Sequence, residues 1–130
     1  MLVLDENLPA GQRSLLREWR IHFRVIGAEV SFSGALDENL IPVLHRLPQP
    51  TFVTLDRDFH RSHLAHGRYC LAWLDVRNRL AADFIRRFLR HPLFDTQAKR
   101  MGVVARVHPD GIEFWQTDRR SLLSAPWPAA

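Results

Sequence analysis

Hydrophobic and polar positions alternate along this chain in short blocks whose period changes from one block to the next. Residues 1–4 (MLVL) form an unbroken apolar run ended by Asp5, which predicts a short strand. From Pro9 the spacing turns helical: over about 9–19, Leu15, Leu16 and Trp19 share one side, with Arg13, Arg17 and Glu18 among the polar positions. IHFRVI (21–26) alternates Ile21, Phe23 and Val25 with His22 and Arg24, the pattern of a half-buried strand. GAEVSFSGA then reads as a loop. Asp37 is placed to N-cap a helix carrying Leu40, Ile41, Val43, Leu44 and Leu47, with Pro42 near its first turn and Pro48 and Pro50 ending it.

The second half repeats the alternation. TFVTL (51–55) is β-rich, 58–66 suits a short helix or irregular turn, and YCLAWLDV (69–76) reads as a fully buried strand. NRLAADFIRRFLRH (78–91) is the clearest amphipathic helix, with Leu80, Phe84, Ile85, Phe88 and Leu89 as its apolar stripe. MGVVARV and IEFWQ flank HPDG and predict a hairpin. Residues 119–130 are expected to form a flexible tail. Strands alternating with helices predict an α/β fold with a mostly parallel central sheet, right-handed crossovers and one domain over 1–118.

Composition changes this picture little. At 130 residues, 46% hydrophobic and 25% charged, the chain has the composition of a globular domain. No apolar run approaches the ~20 residues of a membrane helix, and no basic region precedes the first apolar stretch, so neither a membrane partner nor a secretory leader is expected. The single cysteine, Cys70, lies in an apolar run and reads as a buried small hydrophobe; a reducing cytoplasm fits. Charge matters more. Of 18 basic residues all but Lys99 are arginine, giving a net charge of +4. Arginine forks suit phosphate, although an arginine-rich genome would produce the same bias.

Against that positive background, carboxylates gather three times: LDENL at 4–8, LDENL again at 36–40, and TLDRDF at 54–59. In an open α/β sheet, ligands bind beyond the carboxyl ends of the strands, where strand order reverses. With strand order 2-1-3-4, Asp5 and Asp56 would face each other across that point, and Asp37 or Glu38 would enter from the loop after the second strand. Asp58 follows two residues after Asp56. Such acids repel unless a cation sits among them, and hard oxygen ligands suit Mg²⁺ or Mn²⁺, which would activate water for attack on a phosphodiester. Any one of these acids alone is more often a helix cap or turn residue.

LDENLP, the later DEN before a helix, and FVTLDRDF together resemble the PIN-like superfamily of small metal-dependent ribonucleases over about residues 1–90. The resemblance is strongest to its compact bacterial branch, similar to the toxins of VapC-type toxin–antitoxin pairs. It implies a three-layer, Rossmann-like sandwich and a cytoplasmic endoribonuclease. It also implies Asp5, Asp37, Asp56 and Asp58 as catalytic acids and metal ligands, with Glu38 competing for the third position. Thr54 matches the family's hydroxyl residue, placed to position the metal's water or a carboxylate. Glu6 and Asp75 are secondary acidic candidates, and Arg13, Arg57, Arg79 and Arg86 are candidate RNA contacts. The partners implied are an RNA substrate, a cognate antitoxin and, left open, a second copy of the chain. Pro42 and the C-terminal hairpin depart from the family pattern.

Two other readings stand beside this one. The first is a non-catalytic RNA- or protein-binding module of the same fold. The second is a haloacid-dehalogenase-like phosphatase built on the Asp56-x-Asp58 pair; that chemistry wants the motif early in the chain and a downstream lysine, whereas here the motif is mid-chain and Lys99 is the only lysine. His60, His63 and His66 recur every third residue; without paired cysteines a zinc site is not expected there.

Overall fold

Among the described residues, seven strands make one mixed sheet in the order β2-β1-β3-β4-β5-β6-β7. They are β1 (Leu2–Leu4), β2 (Arg24–Val25), β3 (Thr51–Thr54), β4 (Cys70–Leu74), β5 (Val103–His108), β6 (Gly111–Gln116) and β7 (Leu123–Ala125). This computed structural model describes residues 1–26 and 37–129, with the side chains of 37–39 outside the description; the expected loop at 27–35 likewise lies outside it. The pairs from β2 to β5 are parallel, and β5, β6 and β7 run antiparallel to one another. Helices α1 (Ala10–Glu18), α2 (Asp37–Arg46), α3 (Ala81–Arg90) and the short α4 (Gln97–Arg100) connect them.

Alternate strand residues go to two separate apolar clusters, as a period of two requires. Leu2, Leu4, Val53, Cys70, Ala72 and Leu74 join Leu16 of α1 and Phe84, Ile85 and Phe88 of α3. Val3, Phe52, Leu71 and Val104 join Leu40 and Leu44 of α2, together with Phe59 and Tyr69. Each of these large side chains contributes about 1.5–3 kcal/mol by leaving water. Leu40 and Leu44 therefore offset much of the cost of Pro42, which lies inside α2 rather than in its first turn and removes one helical hydrogen bond.

Several boundaries differ from the sequence pattern for identifiable reasons. The strand expected over 21–26 shrinks to two residues because α1 ends in a tight reversal. Arg20 takes a positive φ of 60°, and the Ile21 N–H donates back to the Leu16 carbonyl at 2.9 Å, the long bond of a Schellman closure. Ile21 and Phe23 then pack on the first cluster without pairing. The segment 57–66 is two 3₁₀ turns, Arg57–Phe59 and Ser62–Leu64.

The expected flexible tail is corrected. It carries β7, paired with β6, and Trp127, whose indole N–H donates to the His108 carbonyl at 2.8 Å. Arg87 covers the Trp127 ring, and buried His91 bonds the Pro126 carbonyl at 3.0 Å. Gly111 permits this close approach: a Cβ there would lie 2.6 Å from the Ala125 carbonyl oxygen. The chain thus continues past the β5–β6 pair into a third antiparallel strand.

Candidate functional site

The reversal of strand order falls between β1 and β3, which are parallel neighbours. Asp5 follows the last residue of β1, and its N–H continues the ladder to the Val53 carbonyl at 2.9 Å. Between the two strand ends stands Thr54, fully buried. Its hydroxyl donates to Asp5 Oδ2 at 2.7 Å and accepts the Asp56 N–H at 3.0 Å. A hydroxyl offers one donor and two acceptor positions, so a single side chain orients the Asp5 carboxylate and anchors the backbone of Asp56.

The carboxylates are oriented further by their own turns. Asp5 Oδ1 accepts the Asn7 N–H at 3.3 Å, and Asp56 Oδ1 accepts the Asp58 N–H at 2.9 Å, capping the 3₁₀ turn. These are the ordinary turn roles of acids after strands. Each oxygen retains lone pairs beyond its one bond, so capping and cation binding are compatible.

The other predicted residues divide. Asp58 is exposed and its carboxylate lies 3.6 Å from Arg61, an ion pair worth at most about 1 kcal/mol. α2 begins at Asp37, but the side chains of Asp37 and Glu38 lie outside the described residues. Glu6 is half-buried on the β1–α1 loop. Asp75 follows β4 on the same edge, yet it serves Arg106, which reaches it at 2.8 and 2.9 Å and also bonds Glu113 at 2.9 Å. Among the described residues, no group of three or more His, Cys, Asp or Glu is arranged to hold a metal ion.

Of the candidate RNA contacts, Arg57 and Arg79 are exposed and stand on turns after β3 and β4, while Arg13 is half-buried in α1. Arg86 pairs with Asp83 at 3.3 Å and lies over the Trp19 ring at 3.8 Å, holding α3 against α1. Burial pushes the Cys70 thiol up to about 12, so it stays protonated and serves packing.

The pattern of single strands hid one feature of this edge. Register places Thr54 beside Trp73, Trp73 beside Arg106, and Arg106 beside Glu113. His60 closes over this row, its ring 5.6 Å from Trp73 and 4.4 Å from Trp115. Burial lowers its pKa, with Glu113 opposing and Arg106 adding to the shift. The histidine repeat therefore does not converge: His63 lines a cleft with Arg119 and Arg120, and His66 packs against His45 and Tyr69.

No family model, curated protein or solved structure matches the chain.

Proposed function

We propose that the chain is a metal-dependent endoribonuclease with a PIN-like, three-layer α/β sandwich, and that it acts as the toxin of a toxin–antitoxin pair in the cytoplasm. One observation carries the catalytic part of this reading. Asp5 and Asp56 follow adjacent parallel strands at the point where strand order reverses, joined through the single buried hydroxyl of Thr54. The donors are hard oxygens, which fit Mg²⁺ or Mn²⁺. Two described carboxylates are fewer than such a site needs, and the third would come from the start of α2, where Asp37 is the preferred acid and Glu38 its competitor. A bound divalent ion would supply a water made acidic enough to attack a phosphodiester.

Asp5 and Asp56 hold negative charge at the strand ends, Thr54 fixes the angle of one and the backbone of the other, and Arg57 and Arg79 offer forks to the RNA backbone. The phosphatase reading gains nothing: Lys99 precedes β5, at the opposite edge from Asp56, where it bonds Asp95 and the Pro92 carbonyl.

The test is cleavage of structured and single-stranded RNA with Mg²⁺ or Mn²⁺ and with excess chelator. Activity should need the metal and fall by about 10²–10³-fold in Asp56→Asn, with melting unchanged. Asp37→Asn should behave alike and Glu38→Gln should stay active. Cleavage that persists in chelator overturns the reading.

A further inference from the structure

At the amino ends of the strands, away from Asp5 and Asp56, lies an open cleft of about 600 Å³ between the end of α2 and the turn before β4. Its polar lining is His45, Arg46, Gln49 and Arg68, with no carboxylate among the lining residues. The Arg46 side chain spends only its Nε, on the Pro42 carbonyl at 3.3 Å. Its two terminal amines and the whole Arg68 guanidinium have no hydrogen-bond or ion-pair partner among the described residues. His66 stands against His45, with ring centroids 4.4 Å apart. Its Nδ1 accepts the Arg68 N–H at 3.1 Å, which leaves Nε2 as the donor.

The charged side chains lining the cleft are all basic. His45 is held below its ordinary pKa first by burial, then by the charges of His66 and Arg68, with no acid pulling it back. Beside the lining residue Met101, the buried Arg100 guanidinium adds a charge whose hydrogen bonds go to neutral acceptors, Thr51 Oγ1 at 2.9 Å and the Phe94 carbonyl at 2.7 Å, while Asp95 partly offsets it. Free arginine forks converging on a cleft of nucleotide size are a phosphate-recognition arrangement.

We propose that this cleft binds a phosphate group, carried by an RNA strand or by a free nucleotide. Arg46 and Arg68 grip the phosphate oxygens, and His45 lies at the same wall. Four-residue β3 separates the cleft from the acidic edge by about 13 Å, so the site stands whether or not the carboxylates hold a metal.

The test uses the whole protein in chelator, so that no metal contributes. Three proteins are compared: wild type, Arg46→Glu/Arg68→Glu, and Arg20→Glu/Arg90→Glu, which makes the same charge change at exposed positions ending α1 and α3. Binding of a labelled short single-stranded RNA is followed by anisotropy across a salt series. The cleft variant should bind at least about tenfold more weakly than the control, and its salt slope should shrink by about 0.7, the value for one phosphate contact on a single strand. Backbone NMR shifts at residues 45–49 and 67–68 distinguish the sources. Shifts with inorganic phosphate or AMP mean that an isolated phosphate suffices; shifts with the strand alone mean that the RNA backbone is the ligand. If the charge reversal lowers the melting temperature, Arg46→Gln/Arg68→Gln replaces it. Equal binding by cleft variant and control, or no shift at these residues with any probe, overturns the proposal.

Discussion

The two edges of the parallel sheet carry opposite chemistry. At the carboxyl edge Asp5, Asp56, Asp58 and Asp75 follow three different strands, and each meets a donor: Thr54, a turn N–H, Arg61 or Arg106. At the amino edge Arg46 and Arg68 have no carboxylate partner among the described residues, while Arg100 is buried with its hydrogen bonds on neutral acceptors and its charge partly offset by Asp95. A parallel sheet produces this separation directly, because every strand starts at one edge and ends at the other. Residues at equivalent places in distant segments then become neighbours. The contrast also separates two kinds of charge, one fixed by surrounding hydrogen bonds and one left for solvent or a ligand.

The comparison is tested most severely at Arg100, the amino-edge charge that has been taken into the core. Arg100→Ala should cost about 3 kcal/mol, lowering the melting temperature by about 10 °C. It strands the Thr51 hydroxyl and the Phe94 carbonyl and leaves a void. Arg68→Ala, at the exposed part of the same edge, should stay within about 0.5 kcal/mol. Equal losses at the two positions in thermal melts would erase the distinction between fixed and free charge.

A smaller effect is expected at Thr54. Thr54→Val keeps the shape but removes both the donor to Asp5 and the acceptor for the Asp56 N–H. It should cost about 1–2 kcal/mol in stability and slow metal-dependent cleavage by about 10–100-fold. Thr54→Ser should restore both. A valine variant that cleaves RNA at the wild-type rate would show that the hydroxyl serves the fold alone.

How far these features can be read from the sequence depends on whether the information is local. The apolar run ending at Asp5 and the β-rich run ending at Asp56 are local, and so is the stripe of α3. A two-residue β2 is not legible, because alternation over 21–26 gives no warning that Arg20 will turn back on α1. β7 and the docking of Trp127 depend on space beside Gly111, which the proline-rich ending conceals. At the site, the acids' shared edge follows from strand order, and Thr54 is marked only by the family resemblance. The engagement of Asp75 by Arg106 depends on the register between β4 and β5, which no single segment encodes. The stacking of Arg86 on Trp19 likewise joins two distant segments and has no local signal. Arg100 lies in the polar stretch DTQAKR, which carries no local signal that this side chain is 6% exposed.

The central claim is that Asp5 and Asp56, tied through one threonine hydroxyl, share a divalent cation. Mn²⁺ binding to the intact protein, followed by the loss of the free-ion electron paramagnetic resonance signal and competed with Mg²⁺, tests this without reference to any RNA. Wild type should bind Mn²⁺, and Asp5→Asn should bind at least about tenfold more weakly while melting at the same temperature. Equal Mn²⁺ affinity in the two proteins, or no binding by wild type, would contradict the account.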